Sequence, residues 1–275
     1  MKYILHFGKK VIKTVFSTQY IRNIENHRTF SEVDKDCFLN ENPVYKNKKL
    51  ISISPGGYKG IYLLGTCMYI KEHFNLDNYI FSGASAGSWN SLVMSYRKDP
   101  QFLRTEILEY SLQNSKSAFD IEMVMKKRIL DMCSVDDFDL EKLFIGVTTL
   151  HNYKPNTTIF YGFTNLEDAV NCCIASSHIP FVTGGIVNKY KNMYTFDGGF
   201  SKYPYLNITN SVLHLTPSIW LNQKENENII KDITDYTTLF SKEKYNFSEM
   251  LESGYKHAHE NRAFLKYVLD VDSDE

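Results

Sequence analysis

The segment Tyr79-Ile80-Phe81-Ser82-Gly83-Ala84-Ser85-Ala86-Gly87-Ser88 sets the reading of the whole chain. Tyr79-Ile80-Phe81 is a short apolar, β-prone run that reads as a buried strand. Directly behind it stands Gly83-Ala84-Ser85-Ala86-Gly87, a G-x-S-x-G pattern built of small residues. Small side chains permit a sharp strand-to-helix turn. Such a turn would put the Ser85 hydroxyl at the mouth of a sheet and at a helix N-terminus. Alone the pentapeptide is a weak signal, because small-residue turns between strands and helices are common. Its neighbours decide.

About thirty residues upstream, Leu50-Ile51-Ser52-Ile53 reads as a second strand, broken by Pro55-Gly56-Gly57. A helical pattern then runs from near Tyr58 to Phe74, with Ile61, Leu64 and Met68 at helical intervals. Strand, glycine loop and helix N-terminus together make a cradle of outward-pointing backbone N–H groups suited to an anion. A plain tight turn is the competing reading. A nucleotide site fits poorly: Pro55 stands at the first glycine position, and Gly60-Ile61 stands where a P-loop needs Lys-Ser/Thr. The end of the next strand carries the serine elbow, where a dinucleotide site would hold an acid for the ribose.

The third element is Met193-Tyr194-Thr195-Phe196-Asp197-Gly198-Gly199, a strand ending in an aspartate and two glycines. An aspartate at a strand end sits where α/β sheets place their chemistry, although an isolated Asp-Gly is most often a turn. Three such elements in this order are harder to dismiss.

Together they resemble the patatin-like phospholipases, marked by G-G-G-x-[RK]-G, G-x-S-x-G and D-G-[GA]. Here those motifs are Pro55-Gly56-Gly57-Tyr58-Lys59-Gly60, Gly83-Ala84-Ser85-Ala86-Gly87 and Asp197-Gly198-Gly199. Ala175-Ser176-Ser177-His178-Ile179-Pro180 is similar to the A-S-[SC]-x-x-P run of the family, and the resemblance spans roughly residues 50–216. The elbow and the Ile179-Pro180 segment resemble the branch that includes animal triacylglycerol lipases. Pro55 in place of the first glycine is the one departure.

The resemblance implies an α/β fold of three layers, a mostly parallel sheet with helices on both faces. It implies a phospholipase A type of activity on fatty-acyl esters through a Ser85–Asp197 dyad. Amides of Gly56, Gly57 and Ala86 would form the oxyanion hole, with Gly60, Lys59, Gly83, Gly87, Gly198 and Gly199 as motif positions. No metal or cofactor is implied. Triacylglycerol lipase and non-enzymatic lipid binder are the alternatives on the same fold. A Ser-His-Asp hydrolase would need a late histidine. His214 lies in an apolar run and reads as a hydrogen-bonded core residue, while His257 and His259 read as a solvated helix face. His178 is placed near the site, lining the pocket.

A length of 275 residues suits one α/β enzyme domain. The expected organisation is residues 1–49 as amphipathic segment and arm, 50–216 as catalytic core and 217–275 as helical extension. A net charge of −1 supplies no basic field for nucleic acid. Five cysteines, an odd count with no C-x-x-C, and no secretory leader predict a reduced, cytoplasmic protein. Abundant Tyr, Phe, Ile, Asn and Lys associate with an A+T-rich genome, as in large DNA viruses and protists. In Met1–Phe16, Ile4, Leu5, Val11, Ile12 and Val15 share a helical stripe opposite Lys2, Lys9, Lys10 and Lys13. Such a helix lies on an anionic membrane surface or packs on its own domain.

The remaining expectations are structural. Residues 17–49 read as a connecting arm. Helices are predicted over 101–114, 119–133, 136–143, 166–175 and most of 234–269, and a strand over 211–216. An antiparallel strand pair, 144–150 with 157–161, is predicted to turn at Pro155-Asn156. Cys172-Cys173 reads as core packing, and residues 270–275 as an acidic tail.

Overall fold

The structure, a computed structural model, describes residues 18–22, 30–31, 35–151, 154–201, 203–208, 211–220 and 245–269. The stretch Met1–Phe16 and the tail from residue 270 lie outside the described residues. Among the described residues nine strands form one mixed sheet. They are β1 (Thr18–Arg22), β2 (Phe30–Ser31), β3 (Lys49–Ile53), β4 (Tyr79–Ala84), β5 (Leu143–His151), β6 (Lys154–Tyr161), β7 (Asn188–Tyr190), β8 (Met193–Phe196) and β9 (Ser211–Leu215). The main path is β2-β1-β6-β5-β4-β3-β9, and the β7–β8 hairpin attaches to β5. The strands β5-β4-β3-β9 are mutually parallel.

Parallel strands are covered on both faces and so read as continuous apolar runs. Every residue of β4 is buried, as are Leu50–Ile53 of β3. The strand alternation divides these side chains between two cores. Ile51, Ile53 and Phe81 pack with Leu63, Cys67 and Ile70 of helix α2 (Gly60–His73) and with Leu265 near the C-terminus. Further along the same face, Leu143, Ile145 and Phe160 pack with Ala169, Val170, Cys172 and Cys173. On the other face Leu50, Ile80, Phe144 and Ile159 meet Phe38, Tyr45, Leu206 and Ile208. That layer is thin, built from the short helix α1 (Lys35–Glu41), a 3-10 turn at Pro43–Tyr45 and the loop that carries Leu206.

The remaining helices are α3 (Ala86–Ser95), α4 (the run Pro100 to Gln113, wound as π-helix over Leu103–Glu109), α5 (Ala118–Met132), α6 (Leu166–Ser176), α7 (Phe247–Glu260) and α8 (Arg262–Leu269). Helix α2 is buried on nearly all sides, because α7 covers the face turned away from the sheet. Two glycines allow the contact. A Cβ on Gly65 would stand 2.0 Å from the Leu251 carbonyl oxygen, and one on Gly254 would stand 1.9 Å from that of Tyr62.

Three expectations change. Residues 136–143 form no α-helix but two 3-10 turns, Val135–Asp137 and Leu140–Lys142. Their backbone is engaged elsewhere: Arg97 N donates to Asp137 O and Asp139 N donates to Ser95 O, each at 2.7 Å. Pro155 and Asn156 lie inside β6, paired with Leu150 and Thr149, and the last pair before the turn is His151 with Lys154. The proline is tolerated because β1 joins the far side of β6 only from Thr157 onward. Within the arm, Thr18–Arg22 adds a parallel strand to that open edge. Its formation depends on a partner more than a hundred residues away.

Candidate active site

Strands β4 and β8 occupy the same side of β5, the opposite side from β6. They run toward each other. β4 pairs with β5 up to Ala84–Gly146, and β8 pairs with it up to Phe196–Thr148. The two strands therefore end head to head with only Val147 of β5 between their last partners. The next residue of each chain is Ser85 and Asp197. Ser85 Oγ donates to Asp197 Oδ2 at 2.6 Å.

Each partner is held by backbone and buried hydroxyls. Ser85 has φ 54° and ψ −129°, a left-handed conformation rarely taken by a residue with a side chain. Its N–H donates to Ser176 Oγ at 2.8 Å, and that hydroxyl donates to Gly146 O at 2.7 Å. The turn needs both glycines of the pentapeptide: a Cβ on Gly83 would stand 2.1 Å from Gly87 O, and one on Gly87 2.2 Å from Ile53 O. Asp197 N donates to His178 O at 2.7 Å, Thr148 Oγ1 donates to Asp197 O at 2.9 Å, and Gly199 N donates to Asp197 Oδ1 at 2.6 Å. A Cβ on Gly198 would stand 2.3 Å from Gly146 O, so the turn closes tightly over β5.

Ser85 is 4% exposed and Asp197 2%. Burial pushes the Asp197 carboxyl up to about 6, against the Ser85 and Gly199 hydrogen bonds that favour its charged form. It is thus a carboxylate at neutral pH and more basic than an exposed one.

The serine opens onto an apolar cavity with about 1080 Å³ of empty space, counting its mouth. Gly57, Ser85 and Ala86 stand on its wall, as do Leu64, Leu103, Ile107 and Met125. Gly57 has φ 52° and opens a 3-10 turn, Gly57–Lys59, that leads into α2. Lys59 is half-buried in that turn, and Gly56 precedes it. Gly60 lies against the elbow, where a Cβ would stand 2.4 Å from that of Ala86. Pro55 packs beside the aspartate turn, 3.0 Å from where a Cβ on Gly199 would be.

Among the described residues no histidine side chain hydrogen-bonds Ser85 or Asp197. His214 is exposed on edge strand β9 and not in a core; Ser52 Oγ lies 2.7 Å from its Nδ1. His257 Nδ1 lies 2.8 Å from Tyr62 Oη, and His259 is exposed. His178 is buried, but its imidazole is absent from the cavity wall; its backbone carbonyl is what reaches the site.

Glu122 went unmarked in the sequence. It lies on the cavity wall, 7% exposed, its Oε1 hydrogen-bonded to Ser177 Oγ. Burial raises its carboxyl to about 8, and the charge of Asp197 adds to the rise. The available signal was a glutamate inside the apolar stripe Ala118, Ile121, Met125, Ile129 of α5.

A head-on strand pair that sets a serine against an aspartate, beside a glycine loop and an apolar cavity, characterises the site of this α/β protein. Residues 51–206, more than half of the chain, match the family model described as patatin-like phospholipase, and the chain belongs to that family. It is also similar to a solved structure of the heterodimeric ExoU–SpcU complex from the type III secretion system of Pseudomonas aeruginosa. The identity is 14% and the TM-score 0.39, with 82% of this chain and 52% of that chain covered. The chain therefore spans about half the length of that solved chain. No protein of curated function matches the sequence. No described helix is long and apolar enough to cross a membrane.

Proposed function

We propose that the protein is a lipid acyl hydrolase of phospholipase A type, with Ser85 as nucleophile and Asp197 as its base. The observation that carries this reading is the 2.6 Å hydrogen bond from Ser85 Oγ to Asp197 Oδ2 at the head of an apolar cavity. Ser85 Oγ attacks the ester carbonyl and its proton passes to Asp197. The carbonyl oxygen gains the negative charge, and the amides of Gly56, Gly57 and Ala86 are the donors assigned to it. Ala86 opens α3, so its N–H has no intrahelical acceptor. Losing one such donor typically costs about 3 kcal/mol of transition-state stabilisation. Collapse of the tetrahedral intermediate expels the alcohol, which takes the proton from Asp197. Water, activated by the same carboxylate, then releases the fatty acid.

The cavity wall is mostly apolar and fits an acyl chain, and triacylglycerol and other neutral esters are the second reading. The deciding experiment is a lipid panel with wild type and Ser85→Ala, reading released fatty acid. Fatty acid released equally by both proteins would remove Ser85 from the mechanism.

Contact with a lipid surface belongs to the same proposal. The loop after His178 exposes Phe181 (67%), Ile186 (63%) and Val187 (54%), side chains suited to an acyl boundary. The basic stripe of Met1–Phe16 would add about 1 kcal/mol per lysine near an anionic surface. Deleting residues 1–16 should weaken activity on anionic vesicles more than on a soluble short-chain ester. Equal loss on both, with a lowered melting temperature, would assign the segment to the domain's own packing.

A further inference from the structure

Three consecutive residues, Ser176-Ser177-His178, reach both partners of the site. The Ser176 hydroxyl accepts the Ser85 N–H at 2.8 Å, and the His178 carbonyl accepts the Asp197 N–H at 2.7 Å. Ser176 is the last residue of α6 and is fixed there, its hydroxyl donating to Gly146 O. His178 lies beyond the helix. Where its carbonyl stands, and with it Asp197, depends on the direction in which the chain leaves α6. Ser177 sets that direction, with φ −104° and ψ 11°.

The Ser177 side chain is anchored mainly from other helices. Its contact with Cys173 O at 2.9 Å stays within one turn of α6. Two further contacts come from outside: Trp89 Nε1 of α3 donates to Ser177 Oγ at 3.3 Å, and Glu122 Oε1 of α5 shares a hydrogen bond with the same oxygen. The Trp89 N–H also bonds the Glu122 carboxyl, so the three side chains close a triangle between α3, α5 and the end of α6. Thr183 completes the grip, its Oγ1 donating to Ser177 O at 2.8 Å and accepting from Ile179 N at 2.7 Å.

Glu122 is the member of this triangle that packing does not explain, because it stands in the apolar stripe of α5. Burying a polar group is costly unless a hydrogen bond offsets it. The bond it makes is to the residue that steers His178. Burial pushes its carboxyl up to about 8, and the charge of Asp197 adds to the rise. At neutral pH it is therefore uncharged and sets no second negative charge beside Asp197.

We propose that Glu122 is a positioning residue for hydrolysis: by tying Ser177 to α5 it fixes the Ser176–His178 segment, and so keeps Asp197 within hydrogen-bond distance of Ser85. The proposal rests on the acyl-hydrolase reading and adds a residue to the machinery of that site. Glu122 acts through Ser177 and not on the ester itself.

The test uses the full chain at pH 7 with two esters, p-nitrophenyl decanoate and p-nitrophenyl acetate, whose acyl group is too short to lie along the cavity. Rates are taken above the Ser85→Ala background. Glu122→Leu should lower kcat about tenfold or more on both esters by similar factors, with KM for the acetate close to wild type. Glu122→Gln should keep most of kcat, because its amide carries a donor and an acceptor and can bond Ser177 whichever side supplies the proton. Ser177→Ala should cost about as much as Glu122→Leu, and the double variant no more than the larger single loss, as for residues that act in series. Wild-type kcat in a folded Glu122→Leu protein, a loss confined to the decanoate, a Glu122→Gln no better than Glu122→Leu, or losses that multiply in the double variant would each overturn the proposal. Should Glu122→Leu fail to fold, Ser177→Ala must lose the same tenfold while Glu122→Gln does not, and equal kinetics for these two reject it. A wild type that hydrolyses neither ester refutes the hydrolase reading instead. Crystal structures then decide the positioning: a Ser85–Asp197 hydrogen bond opened in Glu122→Leu or Ser177→Ala supports it, and one kept at wild-type length rejects it.

Discussion

Ser85→Ala removes one hydroxyl at a turn whose geometry is set by Gly83, Gly87 and Ser176, so no core cavity opens. Its melting temperature should stay within about 2 °C of wild type, while ester hydrolysis and labelling by a fluorophosphonate probe disappear. Asp197→Asn keeps the shape but cannot take a proton, and turnover should fall about a thousandfold or more. Single changes of His214, His257 and His259 to Gln should retain most activity; a loss from any of them comparable to Asp197→Asn would restore a triad. As the proposed base, Asp197 must be ionised to act, and burial pushes its carboxyl up to about 6. The rate constant kcat/KM on a soluble ester should therefore rise with pH through that value and level off above it. A limb near 4 instead would mean that the base is not a buried carboxylate. Ser85 and Asp197 were both legible in the sequence, because two short patterns, each common alone, follow the glycine loop in order on one chain. Glu122 was not: its meaning depends on Trp89 of α3 and on Ser177, which follows α6.

At the scale of elements, the decisive arrangement is the approach of β4 and β8 along one side of β5. The strands themselves could be read from their apolar runs, but their head-on meeting could not, because register between distant segments leaves no local signature. The same limit explains β1, a polar five-residue strand that exists through its partner. Gly198 tests the arrangement without touching a reacting group. A Cβ there would press on Gly146 O and, at 2.7 Å, on Ala84 Cβ, prising the end of β8 from the end of β4. A shift of about 1 Å in a positioned group can cost about a hundredfold in rate. Gly198→Ala should therefore lose about that much kcat/KM with Asp197 intact. Unchanged kinetics in a folded Gly198→Ala protein would show that the strand ends are not what fixes the base.

At the scale of the molecule, α7 clamps α2 against the sheet through backbone contact at Gly65 and Gly254. Gly254→Val should overpack this joint and lower stability by about 1–3 kcal/mol, read as a drop in melting temperature. Stability should also depend on pH in an unusual direction. Glu122 binds its proton more tightly folded than unfolded, with about 8 against an ordinary 4.5. The folded state therefore holds more protons between those values, and stability falls as pH rises through them. Glu122→Gln should remove the larger part of that slope, leaving the part due to Asp197. It should melt several degrees above wild type at pH 9 and close to it at pH 4. A wild-type protein equally stable at both would mean that Glu122 is not held neutral.

The meeting of β4 and β8 has a consequence for the order in which the protein is made. Ser85 leaves the ribosome long before Asp197, which follows 112 residues later in the chain. Until β8 is synthesised and slides into the slot beside β5, the serine has no carboxylate to take its proton. Under the proposed mechanism, a nascent chain that still lacks β8 cannot cleave an ester. On that proposal, reactivity waits for the β7–β8 hairpin to dock.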